Sequence, residues 1–225
     1  MTPAAAVKKP FNFIDRLREI DMFFQGTDRV HDTMRRIAKV LDTAGIAYAI
    51  VGGMAVNAHG HERTTGDVDF LVTAEGFAVF RQLLESENIA RVPGRSRRFL
   101  DGANGITFDL LITGMFPGNG KPGPVTFPDP SNVRETINHL PVVHLPTLIQ
   151  LKLAAQRHQD FADVVNLIGV HRLDEAFARQ LDPSVRGDYI ECLEEKRRED
   201  EYEARQDEQF EERTKGSETA ADLEA

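Results

Sequence analysis

The sequence is short of several things, and each shortage narrows what the chain can be. Among its 225 residues there is one cysteine, Cys192. A single thiol cannot close an intrachain disulfide, so the fold must rest on its core, and a reducing cytoplasm is the expected setting. No apolar run approaches the ~18 residues of a membrane-spanning helix. The opening stretch, MTPAAAVKKPFNFIDRLREI, holds no apolar segment long enough for a secretory signal, so no membrane association is expected. No internal repeat is visible. His59 and His61, in HGHER, have neither cysteine nor a third ligand beside them and do not make a zinc site. Basic residues are outnumbered, 27 to 36, for a net charge of −9. That imbalance is local: from Glu191 onward there are 14 acidic and 6 basic residues, a net −8 that leaves −1 on the rest. The acidity therefore belongs to the tail and does not exclude nucleic acid as a partner of the core.

What is present reads as a soluble globular chain, 41% hydrophobic and 28% charged. Residues 12–24 and 28–44 have helical patterning, with Met34, Ile37, Val40 and Leu41 on one face and Gly45 as a stop. The run IAYAIVGG (46–53) predicts a buried strand ended by glycines, MAVNAHG a short helix, and DVDFLV (67–72) a second strand. A helix is expected over 74–87 and a strand over 106–112. Between them, residues 90–100 predict a strand or hairpin arm broken at Pro93-Gly94. The glycine- and proline-rich stretch 114–130 predicts a loop. Helices follow at 145–159, 160–169 and 172–181. Asp160 with Asp163 resembles a helix N-cap and its acidic companion. After Pro183 the chain predicts a charge-dense helix fading into disorder. The expected organisation is N-terminal helices (1–45), an α/β core (46–145), a helical region (146–182) and a charged tail (183–225).

Within the core, VGGMAVNAHGHERTTGDVDFLV (51–72) raises a chemical question. On a strand, Asp67 and Asp69 point to one face, about 7 Å apart along the chain. Like charges so close repel, and a hard divalent cation reverses the sign of that interaction. The plainer reading is a loop-to-strand boundary with two solvated acids. Asp109 adds weight: it stands alone among apolar residues in ITFDLLI, where a carboxylate is costly unless paired. The alternative for it is a strand edge facing water. If its strand lies beside residues 67–72, three acids converge, an arrangement suited to two metals and a phosphate. Gly52-Gly53 let backbone approach an anion closely at a helix start, or simply provide a tight turn.

Strand, Gly-Gly, short helix, Asp-x-Asp strand and a third Asp on a later strand resemble the nucleotidyltransferase fold of the DNA polymerase β superfamily. More narrowly, Arg63-Thr64-Thr65-Gly66-Asp67-Val68-Asp69-Phe70 is similar to the Arg-x-Thr-x-Asp-x-Asp-Phe run of minimal nucleotidyltransferases related to AbiEii-type toxins. The resemblance implies a mixed sheet flanked by helices. It also implies that Asp67, Asp69 and Asp109 form a catalytic, metal-holding triad for Mg²⁺, with Mn²⁺ as a substitute. Gly52, Gly53, Arg63, Thr65 and Lys152 are then the expected nucleotide-binding residues. Arg63 either binds phosphate or pairs with a triad acid. Lys152 corresponds to a Leu-x-x-x-Lys helix, here Leu148 to Lys152, from which a mobile point charge reaches the triphosphate. In the run that follows, Arg157-His158-Gln159-Asp160 to Asp163, Gln159 stands where relatives carry lysine.

Arg91, Arg95, Arg97 and Arg98 form the basic patch of the core, either an RNA contact or a solvated hairpin. The expected function is NMP transfer from an NTP to a hydroxyl on tRNA, a protein or a small molecule, with a toxin role included. The alternative is a catalytically weak nucleotide-binding or interaction module, such as half of a toxin–antitoxin pair, with the charged tail contacting a protein partner. A metal-dependent nuclease would also cluster acids but gives no reason for the glycine pair.

Overall fold

A computed structural model of the protein describes residues 12–221, with side chains to residue 210. Residues 1–11, part of the stretch read above for a signal, and residues 222–225 of the tail lie outside the described residues.

Helix α1 (Phe13–Phe24) opens at Asn12, whose Oδ1 accepts from the Ile14 amide at 3.0 Å. Helix α2 (Arg29–Thr43) opens at Asp28, which accepts from the Val30 and His31 amides. Its buried stripe holds Met34, Ile37 and Leu41, as the helical period requires, and Gly45 leaves it at φ +66°. The chain then runs through β1 (Tyr48–Val51), α3 (Gly52–Ala58), β2 (Asp67–Val72) and α4 (Ala74–Phe80). It continues through β3 (Ile89–Arg91), β4 (Arg98–Asp101) and β5 (Thr107–Ile112). Helix α4 is shorter than the apolar spacing to residue 87 predicts. Beyond Phe80 the chain passes into turns, the Ser86 hydroxyl donates to the Leu83 carbonyl, and Asn88 takes φ +52°.

Strands β6 (Arg134–Ile137) and β7 (Leu140–Val143) form a hairpin that the sequence pattern did not reveal. Its two linking residues, Asn138 and His139, both have positive φ, as a two-residue hairpin turn demands.

The seven strands make one mixed sheet in the order β3-β4-β5-β2-β1-β7-β6. β2 runs parallel to β5 and antiparallel to β1; β4 is antiparallel to β5. On one sheet face Val68, Phe70, Phe99, Phe108 and Leu110 are buried, with Phe99 stacked on Phe108 at 5.6 Å. Each ring so buried contributes about 2–3 kcal/mol. Asp101, fully buried at the end of β4, accepts from Arg36 (2.6 Å), Thr33 (2.9 Å), Asn104 (2.9 Å) and the Ala103 amide (3.0 Å). This network ties β4 to α2.

The chain divides into two compact units. The first comprises the residues up to 58, 62–113 and 128–143, and so holds the whole sheet with α1 to α4. The second comprises 59–61, 114–127 and 144 onward. It contains α5 (Leu145–Ala155), α6 (His158–His171) and α7 (Arg186–Ala221), with short 3₁₀ segments at Glu175–Gln180 and Pro183–Val185. The first of those segments stands where a regular helix over 172–181 was expected. Helix α7 buries Tyr189, Cys192 and Leu193, and its side chains are mostly exposed from there to residue 210.

Candidate active site

Alternation along β2 leaves Asp67 and Asp69 partly exposed while Val68 and Phe70 are buried. The β2–β5 register sets Asp69 directly beside Asp109, and the β4–β5 register sets Arg98 directly beside Asp109. Directly paired residues share a face, so all four side chains rise from the same side of the sheet. Asp109 is therefore not a solvated edge residue. Its strand is paired on both sides, and its side chain is 23% exposed.

Arg98 is the cation of this face. Its Nη2 donates to Asp67 Oδ2 at 2.6 Å and to Asp109 Oδ2 at 2.9 Å, while Nε donates to both Asp109 oxygens at 3.1 and 3.2 Å. Charge-assisted hydrogen bonds of this kind are the strong ones. The hydrogen bonds that Arg98 donates to Asp109, and the charges of all three acids, hold the guanidinium pKa above its ordinary value against the opposing effect of burial. The sequence left Arg98 to an RNA contact or a solvated hairpin, and in the structure its guanidinium lies against Asp67 and Asp109. Arg91 and Arg95 are exposed on the hairpin, Arg97 is half-buried, and Arg98 is turned onto the acids.

The glycine pair is explained by its neighbours. Gly52 has φ +65°, and a Cβ there would come within 2.0 Å of Asp69 Oδ2. A Cβ on Gly53 would meet Thr65 Oγ1 at 2.8 Å and Arg63 Nη2 at 3.2 Å. The space that glycine leaves is thus filled by the Arg63–Asp69 run itself. Thr65 lies beside Asp67, with Oγ1 3.4 Å from one of its carboxylate oxygens. Asn57, on α3, braces the same run: its Nδ2 donates to the carbonyls of Gly53 (3.0 Å) and Arg63 (2.8 Å), and its Oδ1 accepts from the Arg63 amide (3.0 Å). No sequence signal marked Asn57, and none tied Arg98 to the acids, because both act through pairings that a single chain pattern does not display.

In the second unit, Lys152 is buried, 5% exposed, with Nζ 2.9 Å from Asp160 and 2.6 Å from Asp163. Asp160 also accepts from Arg157 at 2.5 Å, and Gln159 Nε2 donates to Asp163 at 3.2 Å. Gln159 thus supplies an amide donor to this buried carboxylate. Asp160 is the third residue of α6 rather than its N-cap, a position that Arg157 takes. Lys152 is not a mobile charge here: two carboxylates hold it. Cys192 is buried, and burial first, with nearby acids second, pushes its thiol up to about 12, which disfavours the thiolate a nucleophile needs.

Among the described residues, no three His, Cys, Asp or Glu side chains are gathered in metal-holding geometry. The reason lies in their partners: Asp67 and Asp109 turn to Arg98, and Asp69 lies against Gly52. The donor set nonetheless suits a hard divalent cation. It consists of three carboxylates on one face, two of which, Asp67 and Asp109, already share a positive charge.

No family model matches the chain, and no curated protein matches it. Among solved structures, the chain is similar to the lincosamide antibiotic adenylyltransferase LnuA in its lincomycin-bound form. That match is 18% identical and covers 61% of this chain and 95% of that chain, with a TM-score of 0.43. It is also similar to ANT(2")-Ia in complex with adenylyl-2"-tobramycin (12% identical, 72% and 97% covered, TM-score 0.49). A third similar structure is an antigenic nucleotidyltransferase-like protein from Paracoccidioides brasiliensis (19% identical, 60% and 72% covered, TM-score 0.37).

Proposed function

We propose that the protein is a metal-dependent nucleotidyltransferase that moves a nucleoside monophosphate from an NTP to a hydroxyl acceptor. The observation that carries it is the register of Asp69 beside Asp109, with Asp67 two residues away on the same face and the Gly52-Gly53 turn against them. Asp67, Asp69 and Asp109 would hold Mg²⁺ or Mn²⁺, which when bound offsets the charge of acids and phosphates and acidifies the acceptor hydroxyl. Asp109 accepts the hydroxyl proton. The acceptor oxygen bonds to the α-phosphorus as the bond to pyrophosphate breaks, in line with the attack. Arg63 and Thr65, fixed by Asn57 and by the absence of side chains at Gly52 and Gly53, orient the nucleotide. Positioning and electrostatics supply most of the rate, as in phosphoryl transfer generally. Lys152 enters as the counter-ion of Asp160 and Asp163, and any phosphate role would require it to leave them. The acceptor is a tRNA end, a protein hydroxyl or a small molecule, and the single thiol favours the cytoplasm.

Arg98 on the acids favours a second reading, a catalytically weak nucleotide-binding module such as one half of a toxin–antitoxin pair. One experiment separates the two. Purified protein is incubated with each α-labelled NTP, Mg²⁺ and cell extract, and label is sought in RNA, protein and small-molecule fractions. Mg²⁺-dependent transfer that Asp69→Asn abolishes supports the enzyme. NTP binding without transfer supports the module.

A further inference from the structure

Three carboxylates on one sheet face repel one another unless something positive lies among them. In this protein that charge is intrinsic. Arg98 reaches from β4 to oxygens of both Asp67 and Asp109, the first on the strand beyond β5 and the second directly opposite. Its guanidinium fork bridges two acids in a way a lysine point charge cannot. The strand that presents it is anchored at its far end by the Asp101 network, and its near end follows the turn at Pro93-Gly94, where Gly94 has φ +73°. Arg98 is 35% exposed, so part of its side chain already faces solvent.

The carboxylates that accept from Nη2, those of Asp67 and Asp109, are two of the three that would hold a divalent cation. We infer that Arg98 is a cationic placeholder: it holds Asp67 and Asp109 together in the metal-free protein, and a divalent cation loads only by displacing it. The inference rests on the metal-dependent reading given above and adds the competitor that sets metal affinity. Free protein then binds metal weakly, because each loading event must break the Arg98 hydrogen bonds. Removing Arg98 exposes the uncompensated acids and strengthens metal binding, at the expense of the metal-free fold.

The test uses Mn²⁺ alone as probe. Free Mn²⁺ is followed by electron paramagnetic resonance during titration of the wild type, Arg98→Ala, Arg98→Lys and Asp109→Asn, and each protein is melted in EDTA and in saturating Mn²⁺. The expected result is that Arg98→Ala binds Mn²⁺ about tenfold or more tightly than the wild type. It should also melt a few degrees lower in EDTA, a gap that Mn²⁺ closes. Arg98→Lys should fall between the two, and it carries the comparison should Arg98→Ala fail to fold. Equal or weaker Mn²⁺ binding by the Arg98 variants, with Asp109→Asn still weaker, overturns the placeholder while leaving the metal site standing. Absence of Mn²⁺ binding by every protein at millimolar concentration overturns the metal reading of the acids, and the placeholder with it.

Discussion

Asp69 Oδ2 occupies the space in which a side chain on Gly52 would begin; a Cβ there would stand 2.0 Å from it. Gly52 also has φ +65°, a conformation that other residues adopt at a cost. Gly52→Ala should therefore destabilise the protein by roughly 2–4 kcal/mol and displace Asp69. Urea unfolding reads the first effect, and label transfer from NTP reads the second. A variant as stable and active as the wild type would show that the carboxylate moves away freely.

Asp69→Asn keeps the shape of the side chain and removes its charge. Transfer activity should fall about 10²-fold or more, since a lost metal contact removes several kcal/mol of transition-state stabilisation. Stability should change by about 1 kcal/mol or less, because the side chain is partly exposed and asparagine keeps its shape and one acceptor oxygen. Full activity in this variant would overturn the mechanism.

Lys152→Met leaves Asp160 and Asp163 buried without their shared cation. The expected loss is about 3–5 kcal/mol, seen as a lowered urea midpoint. Unchanged stability with weakened NTP binding would instead assign Lys152 to the triphosphate.

Asp101 predicts a pH dependence. Burial alone would raise its pKa, but hydrogen bonds from Arg36, the Ala103 amide and Thr33 outweigh burial and leave the pKa below its ordinary value. A depressed carboxylate contributes stability above the unfolded value of about 4 and loses it as pH falls through the folded value. Asp101→Asn should be less stable than the wild type at pH 7, and the gap should narrow below about pH 4. Chemical denaturation at both pH values checks the sign.

The tail should be dispensable beyond its last buried residues. Helix α7 packs through Tyr189, Cys192 and Leu193, and the stem of Lys196 covers Gly169, where a Cβ would meet its Cε at 2.6 Å. A chain ending at Asp200 should melt within about 2 °C of the full protein, whereas Leu193→Asp should unfold the second unit.

Much of the site was legible because the relevant signals are local. Asp67 and Asp69 declare a shared face by their spacing, and Asp109 declares itself by being polar in an apolar strand. The partnership of Arg98 was not legible, since it depends on the β4–β5 register, and its four-arginine neighbourhood pointed towards solvent or RNA. The β6–β7 hairpin escaped because its turn, Asn138-His139, lacks the glycine that usually marks two adjacent positive φ values. Lys152 looked mobile because its two acids lie a helix away, and its burial is a tertiary fact.

Strand β2 is the fourth of seven, so Asp67 and Asp69 are carried by the middle of the sheet. β4 lies one strand in from the edge, shielded there only by the three residues of β3. Backbone amides of the two strands should then exchange with deuterium on different timescales, those of β2 only through global unfolding and those of β4 through local opening at the rim. The acids would keep a fixed frame across every state the folded protein visits, while the arginine opposite them rides on a more labile strand.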